Sequence, residues 1–292
     1  MNRLTADLRG PLVYADFGGA GKPGALLLHG IGGSKINWQL FAPLLSAQFH
    51  TLGLDLPGFG ESPLAGRSAG LDAQRDLVIE FIERFMDPPV LLVGHSMGGL
   101  ISTMVGAARP DLLRGLVLFA PAFPPTESPA PSLPSALLDR ASYAPRISGT
   151  LGQLMVRARG AHAVVTETLR NSSADFDALP PGFVQSHVDA EEERMRKPGA
   201  YIGYMQGWRW FHSTFREPAG LEGVISSITV PAILLQGTLD GVVLPAAGHR
   251  LAQLQPGWTA HFMEGIGHNP NFEAPAESMA FVAAWLQEIA PT

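Results

Sequence analysis

Val90-Leu91-Leu92-Val93-Gly94-His95-Ser96-Met97-Gly98-Gly99-Leu100 is the stretch whose reading decides the fold. Its opening apolar run, Val90 to Val93, reads as a short buried strand, and the small, apolar residues 100–108 read as a helix. Strand, sharp turn and helix together give a Gly-x-Ser-x-Gly pattern its chemical meaning. The turn is so tight that the serine backbone is strained, and the strain lifts Ser96 Oγ clear of the strand end. Gly94 and Gly98 suit such a turn because a Cβ at either place would strike neighbouring backbone. The amide of Met97 falls at the helix N-terminus, where it can donate to a developing oxyanion.

Outward from this turn, strand and helix signals alternate. Residues 12–17, 25–28, 51–55, 115–120, 231–237 and 259–263 read as strands, mostly continuous apolar runs. Residues 37–45 read as a helix with Trp38, Phe41 and Leu44 on one side. Residues 71–85 read as a helix with Leu77, Val78, Phe81, Ile82 and Phe85 inward, and residues 245–254 and 276–289 as two more. Such alternation predicts an α/β fold, a mostly parallel sheet with helices on both faces. The rhythm breaks at Pro121-Ala122-Phe123-Pro124-Pro125, with Pro129, Pro131 and Pro134 behind it, a stiff non-helical exit. Helical segments follow at 135–142, 151–159, 162–170, 183–196 and 200–215, with no strand signal until after Pro218. The expected organisation is a core domain of residues 1–122 and 219–292, with residues 123–218 inserted as a helical cap.

The composition narrows the function. The 292 residues carry a net charge of −6, which argues against binding nucleic-acid phosphates along a basic face. There is no cysteine, hence no disulfide and no thiolate metal site. No His-Glu-x-x-His motif and no nucleotide loop is present, so no metal or cofactor is expected. The N-terminal residues lack the apolar stretch of a secretory signal, and no run reaches the length of a membrane span. A cytoplasmic protein, monomer or homodimer, is the expectation. The run Glu191-Glu192-Glu193-Arg194-Met195-Arg196-Lys197 reads as a solvated helix face.

A serine hydroxyl is a poor nucleophile until a base takes its proton and an acid orients the base. The last strand runs into Glu264-Gly265-Ile266-Gly267-His268-Asn269-Pro270, which sets His268 on a glycine-flanked loop at a strand end. Of the other histidines, His50 and His261 sit in or beside strands, His162, His187 and His212 in the inserted region, and His249 on a helix. His29 and His95 flank the motifs as loop supports. Gln236-Gly237-Thr238-Leu239-Asp240-Gly241 supplies an acid after an earlier strand, whereas the strand at 115–120 has no carboxylate behind it until Glu127. Ser96, Asp240 and His268 therefore stand in nucleophile–acid–base order. His29-Gly30-Ile31-Gly32-Gly33 offers a second oxyanion donor, the amide of Ile31 alongside that of Met97.

These residues carry a family resemblance. Leu28-His29-Gly30, Asp55-Leu56-Pro57-Gly58-Phe59-Gly60-Glu61-Ser62, Gly94-His95-Ser96-Met97-Gly98-Gly99, Asp240, and Gly267-His268 with Glu273 and Pro275 resemble the α/β-hydrolase superfamily, within it a serine esterase or lipase. The likeness covers both sheet segments and not the inserted one. It implies an eight-stranded, mostly parallel sheet and a metal-free Ser-His-Asp mechanism. Asp55 and Glu61 then form turns, and Glu273 caps the final helix. Haloalkane dehalogenases and epoxide hydrolases carry Asp where this chain has Ser96. Carbon–carbon bond hydrolases of aromatic degradation usually carry Trp where it has Asn269. Proline iminopeptidases favour Gly-Gly-Pro where it has Gly30-Ile31-Gly32-Gly33.

The expected reaction is hydrolysis of a carboxylic ester of a small to medium, largely apolar molecule through an acyl-enzyme, with activity lost as the base protonates in acid. Tyr201, Tyr204, Met205, Trp208 and Phe211 crowd one inserted segment and are candidates for an apolar acyl pocket; packing of that segment onto the core is the competing reading. The same three residues also suit a carbon–carbon bond or lactone hydrolase, or a ligand receptor on this fold.

Overall fold

The alternating signals fold into β1 (Asn2–Asp7), β2 (Pro11–Asp16), β3 (Gly24–Leu28), β4 (His50–Leu54), β5 (Val90–His95), β6 (Leu113–Phe119), β7 (Ala232–Gly237) and β8 (Thr259–Met263). In the computed structural model, which describes residues 1–124, 137, 140–216 and 218–290, these make one eight-stranded sheet in the order β1-β2-β4-β3-β5-β6-β7-β8. β1–β2 and β2–β4 pair antiparallel; β4, β3, β5, β6, β7 and β8 pair parallel. Because successive side chains alternate, Leu26, Leu28 and Leu92 enter the core on one face, and Ala25, Leu27, Leu91 and Val93 that on the other. Both faces are buried, so these strands are apolar throughout rather than alternating.

The helices are α1 (Ala42–Leu45), α2 (Leu71–Phe85), α3 (Met97–Ala108), α4 (Pro145–Arg159), α5 (Ala161–Ser172), α6 (Pro181–Arg196), α7 (Ile202–Arg216), α8 (Pro218–Ser226), α9 (Pro245–Leu254), α10 (Pro270–Glu273) and α11 (Pro275–Glu288). The parallel strands β3 to β8 end on the same edge of the sheet, so the loops after β3, β5, β7 and β8 lie there. α4 to α7 lie between β6 and β7 in the chain.

The structure departs from the sequence reading in several places. β1 gave no apolar signal because it is an edge strand on which only Ala6 is buried. Residues 37–45 are a 3₁₀ turn (Lys35–Trp38) and the short α1, with Leu44 exposed while Trp38 and Phe41 are buried. α2 matches its expected span, but Phe85 at its end is exposed. The fifth helical segment is followed directly by α8, whose Leu221 and Ile225 enter the main core. The expected helix at 135–142 and the proline run from Pro125 to Pro134 fall largely outside the described residues.

Candidate active site

The backbone of β5 ends at Ser96 with φ 51° and ψ −114°. A side-chain-bearing residue holds this conformation at a cost on the order of 1–3 kcal/mol, which the surroundings must supply. They do so by hydrogen bonding: the Ser96 amide donates to the Phe119 carbonyl at 2.9 Å, and its carbonyl accepts from Ala122 and Leu100 at 2.9 and 3.1 Å. The glycines are forced. A Cβ on Gly94 would lie 2.3 Å from the Gly98 carbonyl oxygen, and one on Gly98 would lie 2.1 Å from that of Leu28. Met97 opens α3, so its N–H lies outside the intrahelical ladder.

Asp240 follows β7 and is 3% exposed; His268 follows β8 and is 5% exposed; Ser96 is 6% exposed. Every neighbour of the Asp240 carboxylate is a donor. Oδ1 accepts from the amides of Val242 and Val243 at 2.8 and 2.9 Å, and Oδ2 accepts from Gln236 Nε2 at 2.8 Å. His268 Nδ1 lies 2.8 Å from the same Oδ2. An acceptor there assigns the proton to Nδ1 and leaves Nε2 with its lone pair.

His95 joins the serine turn to the histidine loop. Its Nε2–H donates to the His268 carbonyl at 2.9 Å, and the two rings lie 4.7 Å apart. Burial, and secondarily the nearby His268, hold its pKa down at about 3, so it is a neutral strut between the two loops. His29 is likewise held below the ordinary histidine value, chiefly by burial. It donates from Nδ1 to the Gly30 carbonyl at 2.7 Å and accepts at Nε2 from the Leu56 amide at 3.1 Å.

Gly33 closes a turn onto the Gly30 carbonyl at 3.1 Å, with Ile31 at the turn's outer corner. A Cβ on Gly30 would sit 3.1 Å from His95 Nδ1 and 3.2 Å from Ser96 Cβ, so this loop abuts the serine. Beneath it is a buried ion cluster that the sequence did not signal. Lys35 Nζ donates to Asp55 and Glu61 at 2.8 and 2.6 Å, and Asp55 also accepts the amides of Lys35 and Glu61 at 2.6 and 2.8 Å. Burial pulls the Lys35 ammonium down, but Asp55 and Glu61 outweigh it and its pKa ends raised. Asp55 is thus a fixture of the turn.

Glu273 differs from its expected role. Its carboxylate accepts the amides of Gly267 and Asn269 at 3.0 and 2.9 Å, and of Ala174 at 2.8 Å. The reason is position: Glu273 ends the short α10, which folds it back under the His268 loop instead of towards α11. The carbonyl of Ser172, the last residue of α5, accepts the His268 amide at 2.8 Å and Asn269 Nδ2 at 2.9 Å. The inserted helices therefore help to hold this loop.

The charged run at 191–197 is only partly a solvated face. Glu191 is buried and bonds the Tyr201 hydroxyl. Arg194 pairs with Glu191 at 2.8 Å, covers the Tyr201 ring at 4.5 Å and donates to the Gly32 carbonyl at 3.1 Å. Glu192, Glu193 and Arg196 do face solvent.

Of the pocket candidates, Tyr204 lies against the loop of Ile31: its ring edge is 3.5 Å from where a Gly32 Cβ would be. Trp208 stacks on Tyr204 at 6.3 Å. Tyr201 is engaged with Glu191 and Arg194, Met205 is buried, and Phe211 belongs to the main core cluster. Small residues let α7 come close. A Cβ on Gly203 would lie 2.5 Å from the Gly58 carbonyl, and one on Gly207 would be 3.4 Å from Ile31 Cδ1.

Residues 25–280 match the sequence profile of the alpha/beta hydrolase family. The chain is 27% identical over 272 residues to an (E)-2-((N-methylformamido)methylene)succinate hydrolase of Acinetobacter baylyi, spanning 92% of each chain. It is 26% identical over 262 residues to a pimeloyl-[acyl-carrier protein] methyl ester esterase of Neisseria meningitidis, spanning 87% of this chain and 89% of that one. The fold superposes on a membrane phospholipase A with TM-score 0.77 and 25% identity, over 99% of this chain and 86% of the other. Among the described residues, no helix is long and apolar enough to cross a membrane.

Proposed function

The chain belongs to the alpha/beta hydrolase family, and from that premise we propose that it is a serine hydrolase cleaving a carboxylic ester of a small to medium, largely apolar substrate. The observation that carries the reading is the buried Asp240–His268 pair at 2.8 Å, whose histidine loop His95 ties to the turn of Ser96.

His268 Nε2 takes the Ser96 proton as Oγ attacks the ester carbonyl. The amides of Ile31 and Met97 receive the oxyanion, one from the loop against Ser96 and one from the start of α3. The imidazolium, steadied by Asp240, gives its proton to the leaving alkoxide, and the acyl group remains on Ser96. His268 then activates a water that releases the acid.

Residues 123–218 form the cap and residues 1–122 and 219–292 the core. Tyr204, beside Ile31, forms the part of the apolar acyl wall nearest the reacting carbonyl, with Trp208 behind it, while Phe211 docks the cap. The similarity to a methyl ester esterase supports the bond class.

The test is turnover of a p-nitrophenyl ester series, from acetyl to long acyl, by the wild type and Ser96→Ala. Sustained release that disappears in the variant is the expected result. Equal release by a folded Ser96→Ala protein refutes the nucleophile. Failure of all the esters, with carbon–carbon or lactone substrates cleaved instead, refutes the bond class while keeping the residues.

A further inference from the structure

α4 is built inside out. Its inward face is small and polar: a Cβ on Gly149 would lie 2.9 Å from the Ile202 amide nitrogen, and Gln153 Nε2 donates to the carbonyls of Met195 and Lys197 at 2.9 and 2.8 Å. Its outward face carries Ile147, Leu151, Leu154 and Met155, exposed at 67, 55, 56 and 66%. The spacing i, i+4, i+7, i+8 aligns them in one stripe. Just ahead of the helix, Tyr143 is exposed as well. An apolar stripe of this kind, turned away from the protein's own core, marks an interaction surface.

The charges indicate what covers it. α4 contains no Asp or Glu, and Arg146 and Arg157 flank the stripe on one side with Arg159 on the other. Arg159 pairs with Glu167. Arg157 bonds the Met195 carbonyl at 2.9 Å, a partner that leaves its charge uncancelled. Among the described residues, Arg146 and Arg157 thus form a cationic edge along one side of an exposed apolar stripe, in a chain of net charge −6. A second copy fits this poorly. Two such helices meeting antiparallel about a twofold axis set Arg146 of one against Arg157 of the other, like charges beside the apolar contact. An anionic lipid surface fits both features, with the stripe at the acyl boundary and the guanidinium groups among the headgroups.

We propose that α4 docks this protein onto an anionic membrane surface, the helix lying in the interface plane with Ile147, Leu151, Leu154 and Met155 turned into the lipid. The tightly packed inner face joins α4 to the start of α7, the helix that brings Tyr204 to the loop of Ile31. Docking therefore presents the inserted helices to the bilayer.

The test is cosedimentation of the full chain with phosphatidylcholine vesicles, with and without phosphatidylglycerol. Binding to the anionic vesicles should exceed binding to pure phosphatidylcholine by about thirtyfold, from about a fivefold gain per uncancelled rim arginine, and should weaken with salt. Leu151→Asp/Met155→Asp should abolish it, and Arg146→Glu should remove most of the anionic preference. Ser96→Ala should bind like the wild type, which separates this proposal from the reading of the active site. Hydrolysis of a soluble ester by the α4 variants reports that they are folded. Absence of binding overturns the proposal, as does equal binding to both vesicle types or binding that survives Leu151→Asp/Met155→Asp. A concentration-dependent dimer that these substitutions dissociate, without vesicle binding, assigns the stripe to a second copy and overturns it too.

Discussion

Replacing Asp240 with asparagine tests the proposed orienting role of this carboxylate with minimal change of shape. Oδ1 accepts two backbone amides, those of Val242 and Val243, and Oδ2 faces two further donors, Gln236 Nε2 and His268 Nδ1. Asparagine has one carbonyl for these two sides. If its oxygen keeps the backbone amides, its NH₂ points at Gln236 Nε2 and His268 Nδ1. The imidazole relieves the donor–donor clash by moving its proton to Nε2, and Nδ1 then accepts from the amide. Nε2, the nitrogen proposed to take the Ser96 proton, then carries a hydrogen in place of a lone pair. The expected loss in kcat is about 10³–10⁴-fold, or roughly 4–5.5 kcal/mol of barrier, with KM nearly unchanged. If the amide flips instead, the Val242 and Val243 amides lose their acceptor, and the penalty appears as about 2 kcal/mol of stability. Ester hydrolysis and thermal unfolding, measured on the same preparation, separate the two outcomes. An Asp240→Asn protein that keeps more than about a tenth of wild-type kcat, a barrier change under about 1.4 kcal/mol, would refute the tautomer argument.

Glu273→Ala removes the acceptor of the Gly267, Asn269 and Ala174 amides. At about 1 kcal/mol each for the two partly buried donors, and little for the exposed Ala174 amide, it should lower unfolding stability by about 2 kcal/mol and reduce kcat more than KM; a variant with unchanged melting and turnover would refute the loop-holding role. Gly98→Ala forces a Cβ to 2.1 Å from a backbone oxygen that cannot move aside. It should cost at least about 3 kcal/mol, seen as a melting temperature well below wild type. The pH dependence follows from His95, whose pKa is about 3 in the fold against an ordinary value of 6.5. Between those values the unfolded chain binds the extra proton, so stability falls as pH falls; at about pH 5 His95 alone withdraws about 2 kcal/mol. His29 adds in the same direction. Melting curves that stay flat between neutral pH and pH 5 would contradict a neutral buried His95.

The sequence by itself determined the strand–helix alternation and the glycine-bounded turn at Ser96. These are properties of a few adjacent residues: apolar runs that only burial on both sheet faces explains, and glycines where a Cβ has no room. It also picked out Asp240 and His268, one at a time, as strand-end residues, and matched the span of α2. It could not read β1, an exposed edge strand on which only Ala6 is buried, nor Lys35, whose ion pairs come from residues 20 and 26 positions away. The tertiary structure alone decided that the Asp240 and His268 side chains meet, that His95 bridges the serine turn to the histidine loop, and that Glu273 and Ser172 hold that loop from below and from the inserted helices. It alone decided that Glu191 and Arg194 turn inward while the stripe on α4 turns outward. The physical reason is that helical periodicity fixes which residues share a face, whereas what that face meets is set by elements distant in the chain.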